Sequence, residues 1–381
     1  DQLEIIYGSI IKSLAMGVPE KIKQIEDEIA KTQVNKNTNH HLGILRAKIA
    51  KLKREQEDAR NKGKSSSTGG YDVKKSGDGT VAIVGLPNVG KSTLLNQLTN
   101  SKSKVGSYKF TTLTVVPGIM EYKGAAIQIL DLPGIIEQAA KGRGLGKRIL
   151  SVARNADLIL LMIDVFQPEV HPLLRKELMG MGIRPDEEPP ETIIEKTRIG
   201  GVAVTNLVDI TKISHKLVKD ILHVYKIHNA RVIIREDISV DQLIDIILGN
   251  RSYVGTLTAL NKVDLVNKGY IKEIEDRLKC KFIPISADAN LNLDTLKEQI
   301  YQRLDFIRIY LRPKGGHADK VEPLIMKNGS SVLDVCNKLH REMKKELRYA
   351  RVWGNSVKFG GQRVGLAHSL MDEDILTIFT R

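Results

Sequence analysis

The sequence predicts an α/β fold, a parallel-rich sheet flanked by helices, on three observations. The short apolar runs VAIVG (Val81–Gly85), IQILD (Ile127–Asp131) and DLILLMIDV (Asp157–Val165) have the length of buried strands and alternate with helical stretches. The first of them runs directly into a glycine-rich loop, GLPNVGKST (Gly85–Thr93), and a helix follows Lys91. A further apolar run, YVGTLTAL, ends in NKVD (Asn261–Asp264), at the C-terminal end of a strand, where open α/β sheets bind ligands.

Around that sheet the chain divides by pattern. Residues 1–62 read as a helical hairpin, with Ile22, Ile25 and Ile29, then Leu42, Leu45, Ile49 and Leu52, at helical spacing about a polar turn at Asn35–Asn39. Residues 63–79 are small, polar and glycine-rich, a linker. The sheet begins with 80–165. A proline-rich stretch, 166–236, then interrupts the rhythm and contains strand, helix and strand patterns in GGVAVTNLV, ISHKLVKDILHVY and ARVIIRE, an inserted small α+β unit. The rhythm resumes over 237–306, beginning with SVDQLIDIILGN and including KFIPISA, and 307–381 reads as a separate small α+β module.

Composition narrows the class. Against 45 Asp and Glu stand 59 Lys and Arg, a formal charge of +14 that favours a polyanionic partner such as RNA or anionic lipid. Between Arg46 and Lys64 eight basic residues face three acidic ones; this run is either a phosphate-contacting helix face or a solvated one. Two cysteines, Cys280 and Cys336, exclude a disulfide scaffold and read as core thiols in a reducing compartment. No run reaches the roughly 18 apolar residues of a membrane span, and DQLEIIYGSI lacks a basic segment leading into an apolar one. A soluble, cytoplasmic protein is expected. It is expected to be a monomer, since no heptad run is long enough for a stable coiled coil. His40-His41 falls in a turn with no third ligand, and no nucleophile has a His partner in the sequence.

The motifs specify chemistry. GLPNVGKST fits G-x-x-x-x-G-K-[ST]: amides of the loop, Asn88, Val89 and Gly90 among them, curl around phosphate oxygens, and Gly85 and Gly90 permit the turn. Lys91 contacts the β and γ phosphates, Ser92 holds Mg²⁺, and Thr93 follows at the helix N-terminus. NKVD supplies Asn261, Lys262 and Asp264, and the Asp264 carboxylate accepts from the N1 and N2 positions of guanine, a donor pair adenine lacks. Ser286 and Ala287 end the KFIPISA strand, and their amides are placed to meet the guanine oxygen. Asp131 in ILDLPG binds Mg²⁺ through water, and the Gly134 amide meets the γ-phosphate and reports its loss. In YKFTTLTVVPG either Thr112 or Thr111 brings a hydroxyl to Mg²⁺ as an ordering switch. GRGLG (Gly142–Gly146) lacks a preceding strand and reads as switch backbone. Ile135 stands where many such hydrolases carry the Gln that orients the attacking water.

With GLPNVGKST, YKFTTLT, DLPGIIE, NKVD and SA in this order, the chain resembles the translation-factor-related GTPases of the Obg group, most closely the developmentally regulated GTP-binding (DRG) family. The resemblance covers nearly the whole chain. It implies a helix-turn-helix-like N-terminal region and an insertion similar to the second domain of a small-ribosomal-subunit protein. It also implies a C-terminal TGS domain of β-grasp type, opened here by IRIYLRPKGG. An apolar residue at the Ile135 place belongs to that pattern, and in related GTPases an Asn at the Asn88 place accompanies stimulation by K⁺. The implied function is a GTPase switch, with Lys91, Thr112, Gly134 and Asn88 catalytic, Mg²⁺ and K⁺ as cofactors, and ribosomes or RNA as partners, with a stabilising helper protein. The alternative is a nucleotide-gated RNA- or ribosome-binding adaptor with negligible hydrolysis; an ATPase is disfavoured by Asp264. In the C-terminal module 14 Lys and Arg stand against 8 Asp and Glu. Its most basic element is expected to be a helix from about Leu333 to Arg351 carrying Lys338, Arg341, Lys344, Lys345 and Arg348, either a partner-binding face or a solvated one.

Overall fold

The computed structural model describes residues 17–35, 38–62, 76–99, 108–110, 113–132, 153–340, 343 and 347–380. In chain order these form α1 (Val18–Lys31), α2 (Asn39–Lys62), β1 (Gly79–Gly85), α3 (Lys91–Leu98), β2 (Tyr108–Phe110), β3 (Leu113–Tyr122), β4 (Ala125–Asp131) and β5 (Leu158–Asp164). Next come α4 (Val170–Gly180), β6 (Ile183–Pro185), β7 (Thr192–Lys196), β8 (Val202–Asn206), α5 (His215–Val224), β9 (Ala230–Ile234), α6 (Val240–Leu248) and β10 (Ser252–Asn261). The chain continues with α7 (Lys268–Leu278), β11 (Ile283–Pro284), α8 (Leu293–Arg303), β12 (Phe306–Leu311), β13 (Leu324–Lys327), α9 (Val332–Leu339), β14 (Leu347–Trp353), β15 (Gln362–Val364) and β16 (Ile375–Thr380). They gather into two compact units, one of residues 70–187 with 252–381, the other of 1–69 with 188–251.

In the larger unit an eight-stranded sheet runs β11-β10-β5-β1-β4-β3-β2, with β6 also on β10. β1 lies parallel between β4 and β5, and β10 is parallel to β5; the β3–β4 and β2–β3 pairs are antiparallel. Every residue of β1 is buried, because helices cover both faces of the sheet and leave the strand no polar side. Its two faces feed two apolar clusters, one with Ala82, Val84 and Leu161, the other with Val81, Ile83 and Leu160.

The C-terminal module is a five-stranded sheet, β13-β12-β16-β14-β15, closed on one face by α9 through Val332, Val335 and Cys336, a β-grasp arrangement. The two free cysteines thus differ: Cys336 is buried in this core and Cys280 is half-buried. The module docks on the large sheet. Phe306 and Ile325 enter the same cluster as Tyr301, and Lys327 and Lys338 reach Asp157 and Asp78 at 2.8 and 2.9 Å. Those carboxylates also accept from the amides of Thr80 and Ala126, at the starts of β1 and β4.

The expected helix from Leu333 to Arg351 is corrected. Its regular part, α9, ends at Leu339, and Leu347–Trp353 is a strand carrying Arg348. Within YARVW the pattern alternates, Ala350 and Val352 inward and Arg351 outward, which is strand periodicity and cannot cover a helix stripe. Arg341, Lys344 and Lys345 lie outside the described residues.

In the smaller unit β7-β9-β8 form a sheet, β7 antiparallel and β8 parallel to β9. Val232 and Ile234 of that sheet share a core with α5, α6 and Ala47 of α2. Gly43 lets α2 approach closely, since a Cβ there would stand 3.0 Å from Leu217. That contact offsets the roughly 1 kcal/mol a helical glycine costs.

The small unit takes different bounds from the 166–236 of the sequence reading. Residues 166–187 stay with the large sheet, because β6 pairs with the start of β10, while α6, in the SVDQLIDIILGN text, buries Leu243 and Ile244 in the small core. His40 and His41 are corrected from turn to helix, in the first turn of α2, where they face Asp220 and Glu28. Much of the basic run on α2 is engaged inside the unit: Arg46 with Asp241, Lys51 with the Val224 carbonyl, Lys53 with Glu26, Arg54 with the Leu248 carbonyl.

Candidate functional site

The site gathers at the C-terminal ends of β1, β4, β5 and β10. β1 delivers the chain into a tight loop in which Asn88 and Gly90 both adopt positive φ, 61° and 98°. Asn tolerates that conformation better than other side chains. Gly90 fits where a side chain would not, since at φ 98° a Cβ there would also fall 2.5 Å from the side-chain Nδ2 of Asn261. α3 then starts at Lys91 with Gly90 as its cap, so the amides of its first turn, which have no helical partner, point at the loop. Lys91 is buried, and its ammonium donates to the Gly85 and Leu86 carbonyls at 3.2 and 2.8 Å. The Asn88 side chain is exposed and Val89 is buried; Thr93 sits half-buried in the first turn of α3.

Ser92, next on α3, donates its hydroxyl to Asp131 Oδ2 at 2.8 Å. Asp131 Oδ1 is buried without a hydrogen-bond partner among the described residues. A buried, unpartnered carboxylate oxygen beside a hydroxyl is a costly arrangement that a hard divalent cation resolves. The pair therefore fits a hard divalent cation such as Mg²⁺. Thr111, Thr112, Gly134, Ile135 and the GRGLG run lie outside the described residues.

Asn261 is the hub. It is 1 % exposed; its Nδ2 donates to the Val89 carbonyl at 2.8 Å and its Oδ1 accepts the Ala287 amide at 3.0 Å. One side chain thus ties together the phosphate loop, the end of β10 and the SA turn. The Ala287 amide donates to Asn261, the Ser286 amide to the Leu291 carbonyl, and the Ala289 amide to the Ser286 hydroxyl, which holds Ser286 and Ala287 beside the NKVD strand end. Asp264, on a short 3₁₀ turn, is exposed and has no ion pair among the described residues.

Lys262 adopts φ 66°, and its ammonium meets Asp164 at 2.9 Å and the Phe166 ring centroid at 5.8 Å. Asp164 was missed in the sequence. It ends β5 directly beside Asn261, and its other oxygen accepts the amides of Phe166 and Gln167. Its signal was present, an acidic residue closing an apolar strand, but nothing local pairs it with position 262. A cavity of about 300 Å³ opens here, lined by Pro87, Asn88, Asp164, Phe166 and Lys262 among others.

A larger cavity, about 910 Å³, lies beside the middle of β10, around Thr256–Thr258. Its wall holds a contact the sequence hid, Cys280 Sγ 3.8 Å from His171 Nδ1, with His171 Nε2 on Thr258. Burial lowers the His171 pKa, with Arg175 adding to the effect, and burial raises that of Cys280. Both shifts favour neutral groups, the reverse of what a thiolate nucleophile needs. Among the described residues no group of three His, Cys, Asp or Glu is placed to hold a metal, and no helix is long and apolar enough to cross a membrane.

Comparison with known proteins agrees with this site. Residues 80–196 match the family model described as a 50S ribosome-binding GTPase, 199–306 the C-terminal region of the same domain, and 307–380 the TGS domain. A GTP-binding protein of Methanocaldococcus jannaschii is 52% identical over 95% of this chain and 93% of its own. Human developmentally-regulated GTP-binding protein 2 is 46% identical over 95% of this chain and 99% of its own. The developmentally-regulated G-protein 3 of Arabidopsis thaliana is 46% identical over 95% and 98%. With its phosphate loop, its NKVD strand end and its TGS module in one chain, the protein belongs to the developmentally regulated GTP-binding protein family, within the P-loop GTPases.

Proposed function

We propose that the chain hydrolyses GTP to GDP and phosphate as a K⁺-stimulated switch that works with ribosomes or RNA. The observation that carries the reading is the Ser92–Asp131 pair with its unpartnered buried oxygen, set one residue beyond the buried Lys91. A Mg²⁺ ion held here would supply positive charge to offset the negative charge of the triphosphate. Ser92 and the switch threonine, Thr112 or Thr111, would hold it directly, and Asp131 through water. Lys91 supplies a positive charge to the β and γ oxygens, and the loop amides through Thr93 orient the triphosphate. Asp264 reads guanine, Asn261 and Lys262 hold the base end against the loop, and Gly134 couples the γ-phosphate to the segment that follows it.

Ile135 leaves no side chain to aim water, so the transition state needs charge neutralised in another way. Asn88 is exposed at the bend of the loop, with an amide oxygen suited to a monovalent cation beside the phosphates. K⁺ there would supply the positive charge that an arginine finger supplies in other GTPases. The excess of basic residues supports a polyanionic partner. We place the protein in the cytoplasm as a monomer, with slow turnover unless a ribosome or helper protein stimulates it. The test is single-turnover GTP hydrolysis over a Mg²⁺ titration, with Asp131→Asn beside the wild type. A raised Mg²⁺ requirement in the variant is expected; an unchanged one would remove Asp131 from the metal site.

A further inference from the structure

The cations of the C-terminal module fall into two sets. Lys327, Lys338 and Arg308 are neutralised within the larger unit, by Asp157, by Asp78, and by Asp372 with Glu373. The outer face of the β-grasp sheet, opposite the Ala350–Val352 core, is different. Tyr349 and Phe379 are cross-strand partners whose rings stack at 4.6 Å and 15°. The Arg363 guanidinium lies over the Tyr349 ring at 4.3 Å, and Arg351 and Lys314 lie over Phe379 at 5.7 and 5.3 Å. Alongside, Arg312 lies 4.8 Å over the Trp353 ring and donates to the Gly316 carbonyl. None of these four cations has a carboxylate partner among the described residues.

The register sharpens the point. Arg351 and Arg363 are directly opposite each other on β14 and β15, both exposed. Like charges facing across an antiparallel pair destabilise a sheet. Each guanidinium instead lies over a ring in a cation–π contact, which leaves free the N–H groups that a carboxylate would have consumed. Where the β14–β15 hairpin turns, Gly360 and Gly361 pack on Trp353, and the adjacent Phe359 is 66 % exposed next to the exposed Lys358. A row of ring-held cations without carboxylate partners, with an exposed ring nearby, is complementary to a phosphodiester chain with unstacked bases.

We infer that this outer sheet face, Arg351, Arg363, Lys314 and Arg312 with Phe359 at its end, binds single-stranded RNA. Phosphates are taken by the ring-held cations and a base stacks on Phe359. The inference rests on the ribosome or RNA reading proposed above and gives it a surface, in place of the C-terminal helix that the sequence suggested.

The experiment is fluorescence anisotropy of a labelled single-stranded 20-nucleotide RNA with the full chain across a KCl series. Arg351→Gln with Arg363→Gln is expected to weaken binding by roughly tenfold at low salt and to reduce the slope of log affinity against log salt by about 1.4, two phosphate contacts' worth on a single strand. Arg351→Lys with Arg363→Lys should keep most of the slope, and Phe359→Ala should weaken binding without changing it. Guanine-nucleotide affinity of each variant, expected unchanged, shows that it is folded. Wild-type affinity and slope retained by the Gln pair would overturn the surface, as would tighter binding to duplex RNA, or no RNA binding by the wild type. Ribosome co-sedimentation of the wild type, run in parallel, reports on the broader reading by itself: sedimentation that persists in the Gln pair leaves ribosome association standing while this face is discarded.

Discussion

The C-terminal end and the middle of β10 carry two polar knots of similar construction and unequal legibility. At the C-terminal end Asn261 joins Val89 and Ala287; at mid-strand Asp186 accepts from the Thr256 amide and hydroxyl, Arg175 and Arg303. Both tie distant segments to one strand. The first was readable because its members sit inside short motifs whose spacing reflects a ligand's geometry. The members of the second, at 175, 186, 256 and 303, have no spacing rule, and only the fold brings them together. Asp186 also takes a positive φ of 59° just before the chain leaves for the small unit, a strain its four donors hold in place. A motif therefore identifies a knot that serves a ligand, while a knot that serves the fold alone stays silent in sequence.

That contrast can be broken by mutation. Lys91→Ala should reduce GTP hydrolysis by at least about 100-fold, the scale of losing one charge-stabilising donor, with the fold intact by circular dichroism. Asp264→Ala should weaken guanine nucleotides by roughly 10- to 100-fold, the loss of hydrogen bonds to a charged group, and ATP should then compete with GTP for the site in displacement of bound GDP. Asn261→Ala should combine both kinds of loss, a nucleotide defect with about 1–3 kcal/mol of instability from an unpartnered Val89 carbonyl and Ala287 amide.

Asp186→Asn should do the opposite of Lys91→Ala, lowering the midpoint in urea while nucleotide affinity holds. Its pH dependence follows from the carboxylate. Burial pushes the Asp186 pKa up, but hydrogen bonds from Thr256, Arg175 and Arg303 outweigh it and bring the pKa down to about 2. With the folded value below the unfolded one, the stabilisation is present above about pH 4 and lost as pH falls toward 2. The variant should show a shallower acid limb over that range in thermal melts. The smallest effect is expected from Lys327→Gln or Lys338→Gln, whose half-exposed ion pairs are worth at most about 1 kcal/mol. A large loss of GTP hydrolysis in either would mean that the C-terminal module controls the site through the starts of β1 and β4.

The same division explains what else was legible. The strands of the large sheet, the phosphate loop and the module boundary near Ile307 follow from periodicity and motif. The edges of the inserted unit do not, because β6 is three residues long and its sheet partner lies about 70 residues away. The C-terminal cations misled for a related reason. Basic density marked the right module, but Lys338 is spent on Asp78, and of the unneutralised cations Arg351 and Arg363 sit on strands, where charge alternates with core residues, and Arg312 and Lys314 follow a strand end. Asp164 was invisible for want of a local partner, although it holds Lys262.

The central claim is that this GTPase turns over without a side chain to aim water, using a monovalent cation held beside Asn88. The most direct measurement is steady-state GTP hydrolysis by the purified chain in KCl and in NaCl at equal ionic strength, with Lys91→Ala to exclude contaminants and Asn88→Ala to test the cation site. Faster turnover in KCl, lost in Asn88→Ala and absent in Lys91→Ala, is the predicted result. Equal rates in the two salts, or a K⁺ response that survives Asn88→Ala, would contradict it.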